Sequence, residues 1–285
     1  MSTTDSGTDT KTSGTNGLAG AGARSEPPGG RRTTVAGRLK ALGRAEYVML
    51  IRNRTALFSA LIVPVAMIGA IKMSLKEVDL GEVGLSGIEV AMAGSIGMVL
   101  IMAVYANLSA AYTARREDLV LKRLRTIEAS DREILAGTAL PAVVLAFVQS
   151  CLMIAGGVAF LDVRAPDNPL LLLGGLLAGL LLLSALAAAT SAFTRTVESA
   201  QITTMPLFLV SVVGSGLFVP LEVLPDRVAS ICELLPVTGV MTLVRAGWLG
   251  GTDGSDLMGA ALSALAWIVI AVLAVQRWFR WEPRR

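Results

Sequence analysis

Six apolar segments dominate this sequence, and each is close to the roughly 20 residues that a helix needs to cross a bilayer. They run from about Thr55 to Ser74, Ile88 to Thr113, Ile134 to Phe160, Leu170 to Phe193, Ala200 to Leu224 and Leu257 to Gln276. Because the bilayer core offers backbone polar groups no water, such segments cross it as helices. The sequence therefore predicts an all-α integral membrane protein with six transmembrane helices over residues 55–277.

The segments that flank this region differ from it in character. Residues 1–33 contain almost no large apolar side chains, which predicts a disordered N-terminal tail. Residues 34–54 have an apolar face and a basic face at helical spacing, which predicts an amphipathic interfacial helix. In residues 278–285 the aromatic residues Trp278, Phe279 and Trp281 lie among arginines, a pattern typical of an anchor at a membrane interface.

The distribution of Lys and Arg predicts the orientation, because cytoplasmic segments of membrane proteins hold an excess of both. With the N-terminus inside, inner segments hold 20 of the 25 basic residues. We therefore expect both termini and the loop 114–133 of this multi-pass protein to be cytoplasmic. Trp248 is then a candidate for the aromatic belt at the outer interface.

Local signals predict where some helices begin and how they pack. Asn168 and Pro169 form an N-cap and first helical residue for the fourth span, and Ser130 with Glu133 forms a capping box before the third. Gly175 and Gly179 have the GxxxG spacing that lets a second helix approach closely. Three prolines lie inside predicted spans, where a bilayer tolerates them: Pro64, Pro141 and Pro206.

Several classes of function are excluded by what the sequence lacks. It has no histidine and only two cysteines, so it offers neither a metal-ligand pattern nor the commonest general base. No P-loop occurs, and the predicted spans hold no charged residue near their centres. We expect no catalytic residues, no metal site and no nucleic-acid partner. If the protein does work, another polypeptide has to supply the energy.

Uncharged polar residues inside the spans have two interpretations. Hydrogen bonding between helices is the common one, and clustering on the second and fifth spans also favours the lining of a pathway. The candidate lining residues are Asn107, Thr203, Thr204 and Ser211.

Three groups of residues resemble the permease subunit of ABC transporters of the ABC-2 type, over about residues 38 to 280. The first is Arg52-Asn53-Arg54, which ends the interfacial helix before a span with Pro64. The second is the inner loop, with Arg115-Arg116-Glu117, Leu121-Lys122-Arg123-Leu124-Arg125-Thr126 and Ile134-Leu135-Ala136-Gly137. The third is the outer segment before the last span, with Ser215-Gly216-Leu217-Phe218-Val219-Pro220, Pro225, Pro236-Val237-Thr238 and Arg245.

This resemblance implies a function and partners. It implies an exporter permease that moves a drug, lipid or glycan-like amphiphile outward by alternating access, as a homodimer or a heterodimer with a similar permease. A separate ATPase subunit would bind ATP and Mg, and this chain would hold no cofactor. Membrane lipids surround the spans.

The resemblance also implies roles for residues of the two loops. The coupling surface for the ATPase would be Arg115, Arg116, Glu117, Leu121, Arg123, Leu124 and Arg125. The outer loop, re-entrant or helical, would form a gate with Phe218, Pro220, Pro225, Pro236 and Arg245. The alternative from another class is a noncatalytic membrane scaffold or accessory subunit, which copurification with an ATPase would distinguish.

Overall fold

The computed structural model of the chain describes residues 54–74, 79–80, 85–117, 131–161, 163–217 and 224–279, together with Arg44, Val48 and Leu221. Within these residues the α-helices are α1 Arg54–Ser74, α2 Gly87–Leu100, α3 Asn107–Glu117, α4 Asp131–Phe160, α5 Pro169–Phe193, α6 Val197–Gly214, α7 Asp226–Glu233, α8 Thr238–Leu249 and α9 Gly254–Trp278. A π-helical segment, Ile101–Ala106, joins α2 to α3. Strands β1 (Asp79–Leu80) and β2 (Leu85–Ser86) pair antiparallel between α1 and α2.

The length and hydropathy of the helices agree with a membrane protein. Five described helices can cross a bilayer by these criteria: the continuous helix Ile88–Glu117, α4, α5, α6 and α9. α1 has 21 residues, and its charged residues are Arg54 at the start and Lys72 near the end, so it also has the length of a span. The predicted all-α integral membrane fold is confirmed.

Helix boundaries follow the predicted signals at several points. The Asn168 side chain accepts a hydrogen bond from the Leu171 backbone N–H at 3.0 Å, and Pro169 is the first residue of α5. The predicted N-cap of this helix is therefore confirmed. The three span prolines also lie inside helices, in α1, α4 and α6.

The fifth span is shorter than predicted. The sequence from Ala200 to Leu224 is mainly apolar, but α6 ends at Gly214. Gly216 then takes a φ of +70°, a conformation that favours glycine because it has no Cβ. The prediction that the fifth span continues to Leu224 is therefore wrong, because hydropathy does not register the turn that ends the helix.

The second span occupies the centre of the bundle. Of its most apolar 18-residue window 72% is buried inside the protein, against 11% for α9. Its π-helical segment buries Ile101, Ala103, Val104 and Tyr105. This span packs against α4, α5, α6 and α8, so a displacement of its ends would reach most of the bundle.

The outer segment before the last span forms a bent pair of helices. α7 and α8 meet at an angle of 101°, and the N-terminal Gly239 of α8 lies against Ala260 and Ala264 of α9. Ala260 and Ala264 are six and ten residues into α9, so α8 begins about 9 to 15 Å from the end where α9 starts. That distance is about a third to a half of the thickness of the hydrocarbon core. α8 is therefore a re-entrant helix, which agrees with the prediction of a re-entrant or helical loop.

Close glycine contacts hold α8 in place. Gly175 of α5 lies against Val244, Gly179 lies against Val240, and Gly247 of α8 lies against the backbone of Leu172. The two glycines of the predicted GxxxG pair therefore pack against α8. Trp248 is only 1% exposed, so this candidate for the outer belt does not face the surroundings of the bundle. It lies in the core because α8 is enclosed by its neighbours.

Some predictions fall on segments that the structure does not describe. The tail 1–33 lies outside the described residues, as does most of the interfacial helix 34–54. Ser130, the first residue of the predicted capping box, is outside them as well, and so are residues 280–285 of the C-terminal anchor.

Candidate functional site

The first candidate site is at the end of the bundle where α3 and α5 end and α4 begins, which we call the Arg116 end. The Arg116 side chain is 1% exposed and reaches from α3 to the C-terminus of α5. Its Nη1 donates to the Ser191 carbonyl oxygen at 2.7 Å, and its Nη2 donates to the Thr194 carbonyl oxygen. The last carbonyls of a helix lack partners within the helix and carry partial negative charge, so a guanidinium there is stabilising. Arg116 therefore fastens α3 to α5.

Two further hydrogen bonds tie the same end of α3 to α4. Arg115 Nη1 donates to Thr138 Oγ1 at 3.1 Å, and the Tyr112 hydroxyl donates to the Leu135 carbonyl oxygen at 2.9 Å. The Phe279 ring packs edge-on against Tyr112, with centroids 6.2 Å apart. The end of α3 thus contacts α4, α5 and the residue after α9.

The predicted coupling residues divide between this network and the undescribed loop. Arg116 points into the bundle, Arg115 is half-buried, and Glu117 is half-buried. A buried Arg116 cannot contact a peripheral protein directly, so any part that it takes in coupling runs through α5. Four predicted coupling residues lie outside the described residues: Leu121, Arg123, Leu124 and Arg125.

The candidate pathway residues lie on two different faces. Asn107 is exposed on α3, and Thr203 is half-buried on α6. Thr204 and Ser211 are buried on a helix that packs against α3 and the π-helical segment. The hydroxyls of Thr203 and Thr204 donate to carbonyls of their own helix. Only the first two residues therefore reach an accessible surface of this chain.

A polar pair that the sequence analysis missed lies deeper in the second span. The Tyr105 hydroxyl and Thr190 Oγ1 are 3.1 Å apart, joining the π-helical segment to α5. Such segments occur often at functional sites because they shift the side chains that follow. The sequence could have indicated this pair, since a tyrosine in the middle of a span usually needs a hydrogen-bond partner for its hydroxyl.

The second candidate site is at the opposite end, where α8 ends and α5 and α9 begin, which we call the Trp248 end. Arg245 of α8 is 9% exposed, and its Nη2 donates to the Gly216 carbonyl oxygen. Gly94 of α2 lies against the Leu217 carbonyl, so that a Cβ on Gly94 would be 1.8 Å from that oxygen. The turn after α6 is thereby held between α2 and α8.

The remaining gate candidates surround α7. Pro225 is the residue before α7, and Pro236 is buried between α7 and α8. The Thr238 hydroxyl donates to the Cys232 carbonyl oxygen at 2.6 Å, and Trp267 Nε1 donates to the Leu234 carbonyl oxygen at 3.0 Å. Phe218 and Pro220 lie outside the described residues. Arg245, Pro225 and Pro236 therefore belong to one bent segment.

Taken with the spanning helices, this geometry defines a multi-pass α-helical membrane protein with a buried re-entrant helix. The profile of the ABC-2 type transporter family matches residues 37–249, which is most of the chain. The chain therefore belongs to the ABC-2 type transporter family. This domain is a transporter component and not a catalytic domain, and permeases of this family typically work with an ATPase subunit. None of the curated proteins matches the chain.

Proposed function

We propose that this protein is the membrane-spanning permease subunit of an ATP-binding cassette exporter. It moves an amphiphilic substrate, drug, lipid or glycan-like, outward by alternating access. A separate ATPase subunit binds ATP and Mg and powers the cycle, and a second permease copy, identical or similar, completes the pathway. Family membership supports the class, and the geometry of the Arg116 end supports the mechanism.

The observation that carries the mechanism is the anchoring of both flanks of the loop 118–130. The α3 flank is fastened to α5 through Arg116 and to α4 through Arg115 and Tyr112. The α4 flank begins beside the same hydrogen bonds. A peripheral ATPase that pushes on this loop therefore moves α3, α4 and α5 together, and α3 continues into the central second span. Coupling of this kind needs a contiguous network with two discrete arrangements.

The orientation of the protein follows from its charge. With the Arg116 end cytoplasmic, 20 of the 25 Lys and Arg residues are inside, as the distribution in known membrane proteins favours. To test this, Cys151 and Cys232 are first replaced, and single cysteines are introduced at Thr126 or Ser86. In intact cells an impermeant thiol reagent should label Ser86→Cys but not Thr126→Cys. Labelling of Thr126→Cys from outside would reverse the assignment.

The pathway is proposed to form between two copies. The accessible face of α6 carries Gln201, Met205 and Leu209, and Asn107 is exposed on α3. An apolar surface with a few polar groups suits an amphiphile better than an ion or a sugar phosphate. Thr204 and Ser211 then act within each copy, where they pack α6 against the second span.

The decisive experiment concerns docking of the ATPase. Leu124→Asp should leave the protein inserted and dimeric but abolish copurification with the ATPase and export, because a buried interface anchor contributes about 2 kcal/mol or more. Lys122→Ala is the matched control and should be nearly silent, because an exposed charge contributes about 0 to 1 kcal/mol. The proposal fails if Leu124→Asp still copurifies and transports. A scaffold would bind a partner without any ATP-driven transport.

A further inference from the structure

A groove on the side of the bundle begins at the Arg116 end and lies away from the Trp248 end. Its floor is α5, its walls are α4 and α9, and Tyr112 of α3 closes it at the Arg116 end. Its volume is about 530 Å³, within the range of about 300 to 1,000 Å³ for sites that bind small molecules. Small side chains create the space, since Ala136 and Ala139 of α4 face Ala185 and Ala188 of α5 across it.

The groove opens sideways and is apolar. Leu140, Leu177 and Leu181 line the groove and are 39%, 53% and 54% exposed. The groove therefore opens to the outside of the helix bundle. The hydroxyl of Ser184, in its floor, donates to the Leu180 carbonyl oxygen of its own helix at 2.6 Å. The walls therefore offer an occupant apolar contact and few polar partners.

The dimensions of the groove indicate what kind of molecule fits it. On α5 the lining extends from Leu177 to Ala188, which corresponds to about 16 Å along the helix axis. That is roughly half of the 30 Å hydrocarbon core, the reach of a lipid chain in one leaflet. A helix from a second copy would instead need a face that extends across the whole bilayer.

Cationic groups lie beside the end of the groove. Gln276 lines the groove, and the next residue, Arg277, is exposed in the last turn of α9. Arg115 is one turn beyond Tyr112 and donates to Thr138, next to the lining residue Ala139. Trp278 packs against Phe193 with ring centroids 6.2 Å apart, and aromatic side chains of this kind mark the level of lipid headgroups.

We infer that this groove is a binding site for one acyl chain of an anionic phospholipid from the leaflet at the Arg116 end. The acyl chain lies along α5 between α4 and α9, and Arg277 and Arg115 attract the phosphate. Basic pockets between transmembrane helices bind anionic headgroups in this way. The groove is separate from the proposed transport pathway, because its walls carry none of the candidate residues on α3 and α6. The inference therefore does not rest on the proposed function.

The test uses the full-length protein, purified in mild detergent and studied by native mass spectrometry with added phosphatidylglycerol or phosphatidylcholine. The wild type should retain one phosphatidylglycerol per chain in preference to phosphatidylcholine. Ala185→Phe fills the groove and should lower retention about tenfold, the effect of losing burial of roughly two methylene groups. Ala266→Phe is the control, since Ala266 is exposed on α9 outside the groove, and it should retain lipid like the wild type.

A second pair of variants tests the headgroup. Arg277→Gln should weaken the preference for phosphatidylglycerol because only Arg115 then remains beside the headgroup, whereas Arg164→Gln, which changes an exposed arginine at the other end, should keep the preference. If Ala185→Phe does not fold, Ala136→Phe serves instead because Ala136 is exposed. Equal lipid retention in the groove-filled variant and its control would overturn the inference. So would loss of dimers in Ala185→Phe with lipid retention unchanged, which would assign the groove to a second copy.

Discussion

The two ends of the bundle differ in the contacts that predominate. At the Trp248 end, glycines let backbones approach closely, because Gly94 lies against Leu217 and Gly247 against Leu172, and Arg245 adds a side-chain hydrogen bond to the turn after α6. At the Arg116 end, long side chains bridge gaps between helices, as Arg116 does between α3 and α5. The first kind of contact depends on shape, and the second depends on hydrogen bonds from rotatable groups.

This difference teaches where the molecule can change shape. Close packing of backbones resists separation, because a gap of about 0.5 to 1 Å removes roughly a quarter to a half of the dispersion attraction. A guanidinium hydrogen-bonded to helix-end carbonyls can exchange partners and reform the bonds elsewhere. We therefore expect the Trp248 end to move as a unit and the Arg116 end to rearrange. That division suits a permease that receives its energy at the Arg116 end.

The largest expected effect comes from breaking the glycine contacts. Gly94→Ala adds a Cβ 1.8 Å from a backbone oxygen, and no rotation of a side chain can relieve that clash. We expect a loss of more than about 3 kcal/mol, beyond ordinary overpacking, or failure to accumulate in the membrane. Gly174→Ala is the control, because a Cβ there meets nothing within 4 Å. Unfolding in mixed micelles measures the stability of both variants. Equal stability would contradict the conclusion that close backbone packing holds the Trp248 end together.

An intermediate effect is expected from Arg116→Met at the other end. It leaves the Ser191 and Thr194 carbonyls without their charged donor, a loss of about 1 to 3 kcal/mol for a buried unsatisfied group. Arg195→Met should change the free energy of unfolding by less than about 0.5 kcal/mol, because Arg195 is exposed.

The same variant separates coupling from docking. If coupling runs through Arg116 as proposed, Arg116→Met should still copurify with the ATPase but transport poorly, because the buried side chain would transmit motion without touching the partner. Lost copurification in this variant would mean that Arg116 shapes the docking surface, and unchanged transport would mean that α5 receives no force through it.

The sequence predicted the spanning helices well, because an apolar segment of this length crosses a bilayer as a helix. It predicted the contacts of single residues less well. Arg116 follows a span within a charged run, a pattern equally typical of a solvated loop and of a helix cap. Its burial depends on where α5 ends in three dimensions. Trp248 likewise has the composition of an interface residue, and its burial depends on α8 turning back into the bundle.

Two features were not predicted from hydropathy. The segment Ile101–Ala106 reads Ile-Met-Ala-Val-Tyr-Ala, which is ordinary for an α-helix, and its π-helical hydrogen bonding depends on neighbouring helices. The end of α6 at Gly214 is followed by further apolar residues, so hydropathy extended the span. A glycine with positive φ and its contact with Arg245 decide that boundary. Both features arise from tertiary contacts between residues distant in sequence.

The smallest expected effect lies between the two ends, at the Tyr105–Thr190 pair. Tyr105→Phe and Thr190→Val each remove one hydroxyl of the 3.1 Å contact with little change of shape. Hydrogen bonds between membrane helices contribute about 0.6 kcal/mol on average, so we expect a coupling energy of that size in a double-mutant cycle. If this pair holds the π-helical segment in register with α5, transport should fall in both single variants to the same extent as in the double variant. Losses of transport that add in the double variant would show that the two hydroxyls act separately, and that the middle of the second span belongs with the rigid Trp248 end.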